Sequence, residues 1–125
     1  MTAFFEPDAA LAKVARDVAM AQENADRAGR VKLEIDLVRG RGRSKRGEVV
    51  VEVDATGVLV DLVLADAALD LRADVLARTI REVIAVAQRD AAKRSMVIAD
   101  DAFGAGSPVT AHLRGEFEQR LGGEL

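Results

Sequence analysis

The spacing of apolar residues changes twice along the chain, and this change limits the folds open to it. Leu11, Val14, Val18, Ala21, Ala25 and Ala28 recur at intervals of three and four, a heptad seam along one side of a helix. Pro7 and Asp8 suit its opening turn and Gly29 its stop, so the spacing predicts a helix over residues 7–28. From Val31 the period falls to two: Val31, Leu33, Ile35 and Leu37 alternate with Lys32, Glu34 and Asp36. Val49, Val51 and Val53 alternate with Glu48, Glu52 and Asp54, interrupted by Val50, and Val58, Val60, Leu62 and Leu64 follow with Asp61 opposite. Asp54-Ala55-Thr56-Gly57 between the last two runs suits a short hairpin in which Gly takes a positive φ. Three antiparallel strands in a meander are therefore expected, with eleven apolar residues on one face.

Helical spacing returns near Arg72, where Leu76, Ile80, Val83, Ile84, Ala87 and Ala91 share a face and Val75, Thr79 and Val86 widen it. Met96, Val97 and Ile98 extend the helix past Arg94 without a breaker. Phe103 to Pro108 forms a linker, after which Ser107 can cap and Pro108 open a last helix carrying Val109, Leu113, Phe117 and Leu121, ended by Gly122-Gly123. The expected fold is α/β, a two-layer α+β arrangement in the order α-β-β-β-α with a tail helix. Residues 1–103 make the main domain, and 104–125 a linker with a short amphipathic helix or flexible tail. One helix about 10 Å across does not cover three strands roughly 14 Å wide, so a second copy is expected to complete the core.

Composition narrows the chemistry. With no cysteine, no tyrosine and one histidine, thiolate metal sites, iron–sulfur clusters, disulfides and cysteine nucleophiles are excluded. No apolar run reaches the ~18 residues of a membrane span, and Glu6 and Asp8 do not fit a signal peptide, so a cytoplasmic protein without membrane contact is expected. His112, Asp100 and Asp101 sit in a linker and a weak helix and read as solvated rather than as metal ligands. Glu48, Glu52, Asp54 and Asp61 read as water-facing strand residues without a nucleophile. Neither catalysis, metal nor cofactor is expected.

Charge is distributed unevenly. Arg39, Arg41, Arg43, Lys45 and Arg46 fall within eight acid-free residues, placing +5 on one segment of a chain whose net charge is −3 and leaving −8 for the rest. Between two strands this run reads as a loop whose glycines let the backbone follow a phosphate chain while the guanidinium forks contact phosphate oxygens. Its glycines do not match a P-loop. Cations at Arg78, Arg81, Arg89, Lys93 and Arg94, and at Lys13, Arg16, Arg27 and Arg30, are interspersed with acids and read as ordinary salt-laced helix faces. The aromatics are Phe4, Phe5, Phe103 and Phe117, none within an expected strand, which favours duplex over single-strand recognition. Phe4 and Phe5 are expected to pack on the sheet end or a partner.

The run Gly47-Glu48-Val49-Val50-Val51-Glu52-Val53-Asp54-Ala55-Thr56-Gly57-Val58-Leu59-Val60-Asp61-Leu62, with a long helix before it and Ala87-Gln88-Arg89-Asp90-Ala91-Ala92 in the helix after it, resembles the YbaB/EbfC family of bacterial nucleoid-associated proteins over roughly residues 8–98. The alanine- and arginine-rich usage is most similar to the actinobacterial branch. The resemblance implies a tweezer-like homodimer that binds double-stranded DNA with little sequence preference, and no enzyme. It passes on no catalytic or base-reading residue. The cationic run and the longer tail depart from the family pattern. The residues expected to carry DNA binding are Arg39, Arg41, Arg43, Lys45 and Arg46, and those expected at the dimer interface are Leu11, Val14, Val18, Val75 and Val86. The expected location is cytoplasmic and nucleoid-associated, with a protein partner through the C-terminal tail a further possibility. The alternative reading is a protein-interaction module, such as a type VII secretion accessory or chaperone-like protein.

Overall fold

The computed structural model of the chain describes residues 7–125, so Phe4, Phe5 and Glu6 lie outside the described residues. Helix α1 (Pro7–Asp36) leads into strands β1 (Arg39–Arg43), β2 (Val49–Asp54) and β3 (Leu59–Leu64). A 3-10 turn (Asp66–Asp70) then precedes helices α2 (Ala73–Phe103) and α3 (Pro108–Leu121). The strands form one antiparallel sheet in the order β1-β2-β3, and the α-β-β-β-α order is the expected one.

One strand is not where the period-two pattern placed it. Residues 31–36 continue α1, and β1 is instead the Arg-Gly run. Val31 and Val38 are buried and Ile35 half-buried, spaced four and three apart, while Leu33 and Leu37 face water. Five or six apolar residues fit either period, and here helical continuity decides. Gly29 does not stop the helix. A Lys32–Asp36 ion pair, 3.0 Å and four residues apart, runs along the extra turn.

In β1 the burial alternates, with Gly40 and Gly42 turned inward and Arg39, Arg41 and Arg43 outward. A Cβ at Gly40 would overlap the Ala87 carbonyl oxygen and Ala91, and one at Gly42 would overlap the Val83 carbonyl oxygen. The glycines therefore serve a close approach of helix to strand, not a flexible loop. Val49, Val51 and Val53 of β2 are fully buried beside Val83, Ala87 and Ala91, with Leu76, Ile80 and Ile84 at the margin. Each such valine is worth roughly 1.5 to 3 kcal/mol of burial.

Helix α2 lies over β1 and β2, and β3 is exposed along its whole length. Leu62 and Leu64 pair with Val51 and Val49, which puts them on the core-facing side, yet both remain 39% exposed. The eleven-residue apolar face is thus replaced by two glycines, three buried valines and an uncovered leucine strip. At about 46 Å, α2 overshoots the sheet. Its C-terminal half is held on one side by the end of α1 and on another by α3, where Phe117, Leu113 and Leu121 pack on Ala92 and Met96. Ser107 caps α3 through Thr110 N–H at 3.0 Å, Pro108 opens it and Gly122 ends it in the left-handed region, all as the residue types imply. No helix among the described residues is long and apolar enough to cross a membrane.

Replacing Gly40 with Ala should destabilise the fold by about 3 kcal/mol through overpacking against backbone that cannot yield. Replacing Arg41 on the opposite face with Ala should cost well under half of that. Urea unfolding midpoints of the two variants provide the comparison.

Candidate nucleic-acid interface

The cationic run divides into a strand and a turn. Arg39, Arg41 and Arg43 form one row on the outer face of β1, at intervals of about 6.8 Å set by the strand pleat. Lys45 and Arg46 sit at the tip of the turn to β2, both exposed. Gly47 N–H donates to Ser44 O at 3.0 Å, and Gly47 takes φ 75°. Ser44 Oγ accepts from Val49 N–H at 3.0 Å. Asp54-Ala55-Thr56-Gly57 repeats the plan: Asp54 Oδ1 accepts from Thr56 N–H, Thr56 Oγ1–H and Val58 N–H, and Gly57 takes φ 86°. Both turns place an oxygen-bearing side chain first and glycine fourth. The Ser44-to-Gly47 signal was therefore available to mark Arg39–Arg43 as a strand.

Acids absent from the run in sequence reach it across the sheet. The register sets Arg39 opposite Asp54 and Arg41 opposite Glu52. Arg41 Nη2 lies 3.3 Å from Glu52 Oε1, while Arg39 Nη1 donates to Val38 O at 2.8 Å. The hydrogen bond from Thr56 holds Asp54 below the usual carboxylate range against partial burial, with help from Val58 and Thr56 N–H and the charge of Arg39. Glu48 is likewise lowered, first by its own backbone N–H, then by Ser44 and Arg46. Arg43 faces Val50, and Arg43, Lys45 and Arg46 make no ion pair within 4 Å among the described residues.

Asp90 of α2 is one of the acids interspersed with the helix cations, and it reaches the cationic strand. Its Oδ2 accepts the outward N–H of Arg41 at 2.9 Å and Arg94 Nε at 2.9 Å, which blunts the β1 edge and fixes the middle of the arginine row. Burial acts against its charge, but the Arg41 N–H, the Arg94 hydrogen bond and the charges of both arginines outweigh it, so its pKa is lowered from 3.8.

The other sequence-selected residues are scattered. Leu11, Val14 and Val18 lie exposed on α1, Val75 is half-buried in the first turn of α2, and Val86 is exposed on α2 beside the Arg43–Arg46 turn. Arg27 pairs with Glu23, and Arg89 donates to Glu124 O at 2.8 Å. His112 lies 3.1 Å from Glu116, and Asp100 lies 3.7 Å from Arg114.

With the sheet, the flanking long helices and the cationic edge in place, comparison with known proteins assigns the class. The model of the YbaB/EbfC DNA-binding family matches residues 10–105, and the chain belongs to that family. It is thus a bacterial nucleoid-associated DNA-binding protein of a non-enzymatic family. No curated protein matches the sequence. All of α3 lies beyond the matched residues.

Because the folded pKa of Asp90 lies below its ordinary value, its contribution is complete above about pH 3.8 and is lost as pH falls through the lowered value. Asp90→Asn should cost on the order of 1 kcal/mol at neutral pH. The gap to wild type should close only in stronger acid, as read from urea unfolding across pH.

Proposed function

We propose that the protein works as a homodimer that grips duplex DNA through backbone phosphates, using the outer face of β1 and the turn after it. The arginine row carries this reading. Its spacing of about 6.8 Å matches the rise of two base pairs along one strand, and guanidinium forks suit phosphate oxygens without reading a base. Lys45 and Arg46 continue the row past the strand end. Arg39 and Arg41 already face carboxylates, so the cations most available to phosphate are Arg43, Lys45 and Arg46.

The homodimer is supported by the bare third strand. Leu59, Leu62 and Leu64 form an apolar strip that no described element of the chain covers. A second copy seated there buries the strip and doubles the cationic rows. The DNA-binding unit corresponds to residues 1–103, with 104–125 bracing α2, and the site of action is the nucleoid.

Three phosphate contacts per protomer make six in the dimer and a slope of log Kobs on log salt of about −5. Arg43→Ala with Arg46→Ala should weaken binding and reduce that slope by about 3 to 4. Glu52→Gln releases Arg41 and should steepen it, by up to about 2. Fluorescence anisotropy on duplexes of unrelated sequence, over a salt series, reads all three. Unchanged affinity in the double variant would remove the interface from β1, and no binding in dilute buffer would favour the protein-interaction reading.

A further inference from the structure

The first two-thirds of α1 form a free arm. Every residue from Leu11 to Asp26 is exposed, and the only buried residue of the helix is Val31. The arm extends about 30 Å beyond the point where α1 meets the end of α2. Its apolar seam is bare, with Leu11 66%, Val14 57% and Val18 62% exposed. Arg27 and Val31 face α2 from a side of the helix turned about a third of a turn from the seam. The body therefore does not obstruct the seam as far as Ala28.

The seam is graded in size, with Leu11, Val14 and Val18 in its first half and Ala21, Ala25 and Ala28 in its second. Two parallel copies would set large residues against large and alanine against alanine, so the helices would have to splay. Two antiparallel copies set every large residue against an alanine: Leu11 on Ala28, Val14 on Ala25 and Val18 on Ala21. In that register Lys13 lies level with Asp26, Arg16 with Glu23, and Asp8 near Arg30, opposite signs at each level. The parallel arrangement puts like charges level throughout. A seam of leucine, valine and alanine offers phosphates nothing, and its occupant is a protein helix of matching grade.

We infer that α1 pairs antiparallel, in this register, with α1 of a copy from another dimer, so that arms link dimers into larger assemblies. The link between dimers rests on the β3-mediated dimer proposed above. In a dimer joined at β3, β1 and the arm that leads into it lie at the far edge of each protomer's sheet. Arms of one dimer therefore do not meet, and each is open to a neighbour.

The chain contains no cysteine, which makes the register directly testable. An equimolar mixture of full-length Leu11→Cys and Ala28→Cys chains should form the mixed disulfide under mild oxidation. Leu11→Cys alone should form little, its copies being about 25 Å apart in the antiparallel register. Sedimentation without DNA should show mass rising from dimer to tetramer and beyond with concentration. Val14→Glu with Val18→Glu, both at exposed positions, should hold it at dimer. Cross-linking of Leu11→Cys alone as fast as the mixture, or a wild-type mass fixed at dimer with no mixed disulfide, would overturn the inference. Leu62→Asp keeps the two contacts apart: it should leave dimers that still form the mixed disulfide. Loss of that disulfide in this variant would overturn arm pairing as a separate contact. A wild type that stops at an arm-linked dimer, unchanged by Leu62→Asp, would remove the β3 dimer and with it the linking of dimers.

Discussion

The contact between two glycines of β1 and the alanines of α2 sets most of what the molecule is. Gly40 and Gly42 have no side chain to hold the helix off, so α2 settles on the strand at backbone distance, over Val83, Ala87 and Ala91. Glycine in a strand costs about 0.5 to 1 kcal/mol in backbone entropy. Close packing on α2, three buried valines in the adjoining strand and the carboxylate of Asp90 on the edge N–H offset it. A helix drawn to one edge of a three-stranded sheet leaves the other edge bare, and the exposed leucines of β3 follow directly.

The element order, the hairpin at Asp54, the helix stretch from Leu76 to Ala91 and the caps of α3 were legible because each has a local cause in the residues that form it. Positive φ at Gly57, an Asp acceptor three residues earlier and an unbroken helical period need no distant partner. The first strand was not legible in the hydrophobic pattern and was marked only by the Ser44-to-Gly47 turn that ends it, because a strand whose inner face is glycine carries no hydrophobic alternation. Its only inward signal is absence. Val31 to Leu37 imitated the missing strand, since so short an apolar run satisfies both periods until the burial of Val31 and Val38 is known. Local sequence also could not reveal that Asp54 and Glu52 stand opposite Arg39 and Arg41, since that pairing depends on register. The cationic residues themselves were evident from sequence; their rigidity and partial neutralisation were not.

A strand presents charge differently from a loop. Arg39, Arg41 and Arg43 share one face and one spacing, and the central arginine is held at its backbone by Asp90 and at its guanidinium by Glu52. Less conformational freedom remains to be lost when an anion arrives, which favours binding relative to five cations on a mobile loop. Glu52 acts in the opposite direction, since it competes with any phosphate for Arg41. A row held rigid but partly neutralised suits contacts that must form on any sequence and release again.

The length of α2 ties this row to the rest of the molecule. Its first half forms the floor of the sheet, and its second half is clasped between α1 and α3, where Phe117 is buried and Arg89 reaches the Glu124 carbonyl. Only Leu37 and Val38 separate the end of α1 from β1, and Val38 is buried in the sheet core. The arm and the arginine row consequently move as one body. Any contact made along the arm orients the cationic face of its own protomer, and contacts between arms would fix how successive cationic faces are turned toward DNA.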